Sequence, residues 1–233
     1  MLFNNREEAA RLLVGRLTRY IGRHALVLGI PRGAVPMARI IADAIDGELD
    51  VVLVHKLGAP GNSEFAIGSI GESGERYISE DARTLRIGED YLRQEAREQL
   101  ETLRRRRAMY TPVRPPIDPS HRIVIVVDNG IATGATMIAA LRAVRARRPA
   151  RLIGAVAVAP PETLKRIARE ADETVCLDAP EEFYAVGQFF LNFPQVTDDE
   201  VVELLRRKPR PHRSPRLNPQ TTRTDVSPST GGG

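Results

Sequence analysis

Asp128, Asn129 and the turn Thr133-Gly134-Ala135-Thr136 combine residue types and spacing that could do chemistry. A carboxylate such as Asp128 can accept hydrogen bonds from vicinal hydroxyls. Five residues further on, a turn of small residues that opens a helix can hold a phosphate. The free amides of a helix start and the positive end of its dipole attract the anion, and small side chains let the backbone come close. A sugar carrying a 5′-phosphate has that layout. Neither GxxxxGK[ST] nor GxGxxG occurs, so nucleoside-triphosphate and dinucleotide loops lack their signatures here.

The elements that must position these groups are legible around them. Residues 123–127 are five consecutive β-formers, a run that suits a strand covered on both faces of a parallel sheet. From Thr136 the pattern turns helical, with Met137, Ala140, Leu141 and Val144 on one face. Upstream, residues 25–30 read as a buried strand, 29–36 as a shaped turn around Arg32, and 35–45 as a helix. Residues 50–54 form another expected strand, leading to His55 and Lys56. Residues 65–79, broken by Gly68, Gly71 and Gly74, suggest a β-hairpin flap. Residues 90–110 are a charged helix whose basic run at 104–107 reads as a solvated face, partly paired to Glu98 and Glu101. Further strands are expected at 152–159 and 173–177, with a helix opened by Pro160-Pro161-Glu162 between them. Residues 5–20 read as an amphipathic helix packing through Ala9, Leu12, Leu13, Leu17 and Tyr20, and residues 201–205 as the end of a last amphipathic helix.

Residues 122–141 closely resemble the phosphoribosyl-pyrophosphate (PRPP) motif of type I phosphoribosyltransferases. In that motif hydrophobic residues lead into two acids and then a T-G-x-T-like turn. The resemblance covers roughly residues 5–205 and implies an α/β fold, a Rossmann-like parallel sheet flanked by helices, with a flap and a small hood. It implies that Asp128 and Asn129 hold the ribose hydroxyls and that Thr133, Gly134, Ala135 and Thr136 hold the 5′-phosphate, with Gly130, Ile131 and Ala132 also in the PRPP-binding set. Pro31, Arg32 and Gly33 match the pyrophosphate loop, where the planar fork of Arg suits two oxygens at once. Lys56 matches a lysine that balances the departing pyrophosphate, and His55 stands where relatives usually carry Arg. The implied catalytic set is thus Asp128, Asn129, Lys56 and Arg32. Mg²⁺ is the implied cofactor, reached by Asp128 only through the PRPP-bound ion.

Three departures from the family pattern qualify what is inherited. Asn129 replaces the second acid and supplies hydrogen bonds without its charge. Ala132 stands where some purine-using members place an Asp beside the turn. The aromatic-rich stretch 183–190 offers Tyr184 as a stacking face for the acceptor, but Leu191 stands where those relatives carry an Asp. A closed hydrophobic cluster is the competing reading of that stretch. His24 reads as a surface turn residue, and Cys176 as packing.

A chain of 233 residues with one cysteine is sized for one domain plus an accessory piece and holds no disulfide framework, which fits a reducing, cytoplasmic setting. No run approaches the ~18 apolar residues of a membrane span. The formal charge of +4 is concentrated at one end: from Arg206 onward there are seven basic residues and one acid. Residues 1–205 therefore carry a formal −2, which gives nucleic-acid binding no support. The expected organisation is a domain over 1–208, with its core at about 22–180 and its hood at about 181–205, with 1–21 as a further candidate for the hood. A basic tail over 209–233, rich in Pro, Ser and Thr, is expected to be disordered. The expected partners are PRPP and a small-molecule acceptor, no nucleic acid and no membrane, and a homodimer is compatible with the reading. Two functions remain in contention beside a weaker sugar-phosphate hydrolase: a Mg²⁺-dependent phosphoribosyl transfer, and a PRPP- or nucleotide-binding regulatory module with little turnover.

Overall fold

In chain order the elements are α1 (Arg6–Arg16), β1 (Leu26–Gly29), α2 (Val35–Ile45), β2 (Glu48–Val51), β3 (Val54–Ala59), β4 (Asn62–Gly71) and β5 (Arg76–Ile78). They continue with α3 (Glu80–Thr84), α4 (Glu89–Tyr110), β6 (Ile123–Gly130), α5 (Ala135–Ala146), β7 (Arg151–Val158), α6 (Pro161–Ile167), β8 (Glu173–Asp178) and α7 (Asp198–Arg206). The computed structural model describes residues 1–207, apart from the side chains of Ser63, Glu64, Glu80 and Asp81. The tail expected from residue 209 lies outside the described residues.

Five strands form one parallel sheet in the order β2-β1-β6-β7-β8. Side chains alternate across a strand, so each apolar run fills two cores at once. Val27, Ile125, Val127, Ile153 and Ala155 pack on the face covered by α1 and α2. Leu26, Leu28, Val124, Val126, Leu152 and Val156 pack on the opposite face, with α5 and α6. This two-sided burial is why residues 123–127 lack polar alternation.

The sheet order creates the crevice. From β1 the chain winds outward to β2, whereas from β6 it winds the other way to β7 and β8. The loops leaving adjacent β1 and β6 therefore diverge, and in open parallel sheets ligands bind outside the strand ends at such a switch point.

Three expectations need correction. The strand expected at 50–54 is split: Glu48–Val51 stays in the parallel sheet, while Val54 begins an antiparallel sheet of β3, β4 and β5. Polar His55 and Lys56 could not be covered on both faces, so the chain leaves the parallel sheet before them. Leu12 is 43% exposed, because α1 packs through the small Ala9 and Ala10 together with Leu13. Arg107 does not belong to a solvated run. Its Nη1 lies 3.0 Å from Asp50 Oδ1, its Nε 2.5 Å from Glu72 Oε2, and its Nη2 donates to Val51 O at 3.0 Å. Burial works against that charge, yet the Glu72 and Asp50 carboxylates outweigh it and raise the guanidinium above its ordinary range. This buried knot ties α4 to β2 and to the end of β4.

The segment at Phe3 meets residues 189–193. Phe3 N donates to Phe189 O at 2.8 Å and Leu191 N to Phe3 O at 2.9 Å. The rings of Phe3, Phe190 and Phe193 follow in sequence, with centroids 5.3 and 4.6 Å apart. Helix α7 starts at a capping box in which Thr197 Oγ1 accepts from Glu200 N and Glu200 Oε2 from Thr197 N. That cap sets Asp198 in the first turn of the helix.

Candidate functional site

At the tip of β6, Asp128 Oδ1 accepts from the amide of Asn129 at 2.7 Å, which fixes the carboxylate at the strand end. The carboxyl is pushed up to about 7 by burial, with the Asn129 amide pulling the other way. A carboxyl poised there gains from any cation or hydroxyl that arrives beside it. Asn129 is buried, and its Oδ1 accepts from Arg6 Nε at 3.2 Å. Arg has only donors, so the amide oxygen must face Arg6 and the NH₂ must face away. The NH₂ points at the loop after β1, where a Cβ on Gly33 would come within 2.6 Å of it. Only a glycine lets the two loops approach this closely.

The loop after β1 holds Pro31, Arg32 and Gly33, with a cis peptide between Pro31 and Arg32. Arg32 Nη1 lies 3.3 Å from Asp198 Oδ2, and Tyr110 Oη donates to the other oxygen of the same carboxylate at 2.6 Å. Burial and the Asp198 carboxylate push the Tyr110 hydroxyl up, so it remains a donor at neutral pH. Arg32 is thus held at the crevice by the start of α7.

Beyond Asp128 the chain passes buried Gly130 and Ile131 to exposed Ala132 and Thr133. Gly134 has φ +76° and forms the N-cap of α5, which opens at Ala135, one residue before the expected start. A left-handed φ suits glycine, and a Cβ there would meet Thr163 Cγ2 at 2.8 Å. The turn is braced from α6: Thr163 Oγ1 donates to Ala132 O at 2.6 Å and Arg166 Nη1 to Thr133 O at 3.1 Å. At the helix start Ala135 N approaches Thr133 Oγ1 at 3.5 Å, and the next amides of α5 have no acceptor within the helix.

Lys56 stands in β3 opposite Ser69, and His55 Nδ1 lies 2.8 Å from Lys56 O. Lys56 shares a cavity of about 970 Å³ with Thr133, Ala135 and Thr136, and neither Arg32 nor Asp128 lines it. The expected residues therefore fall into two groups joined by the phosphate turn. Asp128, Asn129, Arg32 and Gly33 lie in the crevice, and Lys56 lies on β3, in the antiparallel sheet of the flap. Tyr184 is 86% exposed, while Phe189 and Phe190 are buried in the cluster with Phe3. The aromatic stretch thus divides between core and surface. A Cβ on Gly130 would meet Val186 Cγ1 at 2.9 Å, so the turn carrying Val186 sits over the β6 tip.

A phosphoribosyl transferase domain model matches residues 2–193, spanning the sheet, both loops and the flap. The chain belongs to the phosphoribosyl transferase domain family. Two Mycobacterium tuberculosis proteins that carry provisional phosphoribosyl transferase names, from strains CDC 1551 and H37Rv, are each 42% identical over 210 residues. The match covers 90% of this chain and 47% of theirs, so the chain spans about half the length of these curated relatives. The crystal structure of TT1426 from Thermus thermophilus superposes with a TM-score of 0.80 at 44% identity, covering 88% of this chain and 98% of that one.

Within this phosphoribosyl transferase domain, four supporting residues carry no local sequence signal: Arg6, Tyr110, Thr163 and Asp198. Burial lowers the Arg6 guanidinium, partly offset by Glu200, and its Cζ lies 3.7 Å above the Phe193 ring. Cys176, expected as buried packing, is only partly buried against the core. Its Sγ lies 3.0 Å from Asp178 O, and burial pushes the thiol up to about 11, far from a nucleophile's range.

Proposed function

We propose that the chain transfers the 5-phosphoribosyl group of PRPP to a nitrogenous acceptor. The carrying observation is the Asp128 carboxylate, fixed by its neighbour's amide at a sheet switch point, one short turn before a helix start capped by left-handed Gly134. In the reaction the bond from C1 to pyrophosphate breaks, a C1–N bond forms, and the acceptor nitrogen gives up its proton. Asp128 would accept from the ribose hydroxyls and stand near positive charge developing at C1. Thr133 to Thr136 would take the 5′-phosphate through the helix-start amides and the Thr133 and Thr136 hydroxyls, with Gly130, Ile131 and Ala132 leading into that turn. Arg32, with Pro31 and Gly33, would hold the pyrophosphate, and Asn129 would turn its NH₂ towards that loop. Lys56, with His55 beside it, would neutralise phosphate charge from the flap, whose closure excludes water from the sugar cation. The protein then acts by positioning and charge stabilisation, without a covalent nucleophile.

Among the described residues no cluster of three or more His, Cys, Asp or Glu could cage a metal. A single carboxylate beside a pyrophosphate fits Mg²⁺ in its usual setting, where substrate oxygens supply most ligands. Asp128 would face such an ion, which would neutralise the leaving pyrophosphate. Tyr184 offers an open ring for a planar acceptor.

Calorimetry of PRPP with Mg²⁺ on the parent and on Asp128→Ala tests this reading. Binding by the parent and its loss in a folded variant are the expected results. Equal affinity in the two proteins would remove Asp128 from the site.

A further inference from the structure

The cavity beneath the flap holds more than a sugar monophosphate needs. Its described lining carries five cations, Lys56, Arg83, Arg142, Arg166 and Arg169, against one carboxylate, Glu170. Glu170 is already paired with Arg142, and Arg166 is braced on Thr133 O. Arg83 and Arg169 make no ion pair with any described residue. Arg142 Nη1 is buried with no hydrogen-bond partner, a donor that an anionic oxygen would satisfy. Two aromatic side chains open onto the same space: Phe65 is 42% exposed and Tyr77 36%. Arg142 Cζ sits 3.3 Å from the Tyr77 centroid, which joins the aromatic wall to the basic one.

These features select a ligand class. One phosphate is met by the helix start and hydroxyls of residues 133–136, Lys56 is assigned to pyrophosphate and Arg142 is paired with Glu170, so Arg83 and Arg169 are the cations that call for further anionic groups. Exposed rings beside them offer stacking to a planar heterocycle. A volume of about 970 Å³ lies at the upper end of ordinary small-molecule pockets. We infer that the flap cavity is a second ligand site that takes a nucleotide carrying several phosphates, its ring against Phe65 and its phosphates between Arg83, Arg166 and Arg169. Thr133 and Thr136 line this cavity and also form the turn assigned above to the 5′-phosphate, so the two ligands exclude one another. That exclusion rests on the proposed function, whereas the binding chemistry does not.

Calorimetry of the full chain with ATP, inorganic tripolyphosphate and PRPP tests the inference. The parent should bind ATP, and the double variant Arg83→Gln/Arg169→Gln should bind both ATP and tripolyphosphate at least tenfold more weakly. PRPP affinity should change less than twofold in that variant, which also shows that it folds. Phe65→Ala should weaken ATP and leave tripolyphosphate unchanged, and saturating PRPP should suppress ATP binding. No ATP binding by the parent, or parental ATP affinity in the double arginine variant, overturns the site. An unaltered ATP affinity in Phe65→Ala overturns the nucleotide assignment, and ATP binding indifferent to PRPP overturns the shared turn. Arginine-dependent ATP binding by a protein that does not bind PRPP would refute the proposed function and leave this site standing.

Discussion

Asp128→Asn should make the ligand-free protein more stable in alkaline than in acid solution, relative to the parent. Burial raises the Asp128 carboxyl from an ordinary 3.8 to about 7. Below 3.8 both the folded and the unfolded chain carry the proton, and the carboxyl costs nothing. As pH rises from there to about 7, the unfolded chain ionises freely while the folded one resists, and stability falls. A tenfold change in proton affinity is worth about 1.36 kcal/mol, so the full penalty is about 4 kcal/mol. Part of the residue remains open to solvent, which reduces the expected effect to about 2 kcal/mol. For a chain of this size that is about 4–8 °C in Tm. The Asn side-chain oxygen can still accept from the Asn129 amide, so the local turn is kept. Urea unfolding of both proteins at about pH 4 and about pH 8 measures the difference. An equal offset at the two pH values, or a variant less stable than the parent at the higher one, would refute the assigned burial. The same substitution should weaken PRPP binding, placing the site among those that sacrifice stability for function.

Two further substitutions test how the site is supported. Gly134→Ala forces a Cβ onto a left-handed backbone and to within 2.8 Å of Thr163 Cγ2. It should cost about 1–2 kcal/mol from the backbone alone, and PRPP affinity should fall with it; parental affinity by calorimetry would mean the turn is not the phosphate seat. Arg107→Met leaves Asp50 and Glu72 without their cation in a buried setting, a loss of about 3–5 kcal/mol. Chemical denaturation reads it, and a loss below about 1 kcal/mol would show that water reaches the knot.

Features that depend on neighbours along the chain were legible from residue order alone. Residues 123–127 became the first five residues of β6, the helix expected at 35–45 is Val35–Ile45, and the glycine-broken stretch from Phe65 became part of the antiparallel flap. The phosphate turn was also visible locally, because left-handed backbone and close packing ask for Gly and small residues in sequence. The partners of the site residues came from the fold. Arg6 reaches Asn129 across 123 positions, and Arg32 reaches Asp198 across 166. Neither contact has a local pattern, since a charged residue at a helix start looks the same whether it faces water or a site. The departure of β3 from the parallel sheet, and with it the placing of Lys56 in the sheet of the flap, likewise awaited the sheet order. Periodicity and turn chemistry are written in nearest neighbours; the pairing of side chains is set by which strands and helices the fold lays side by side.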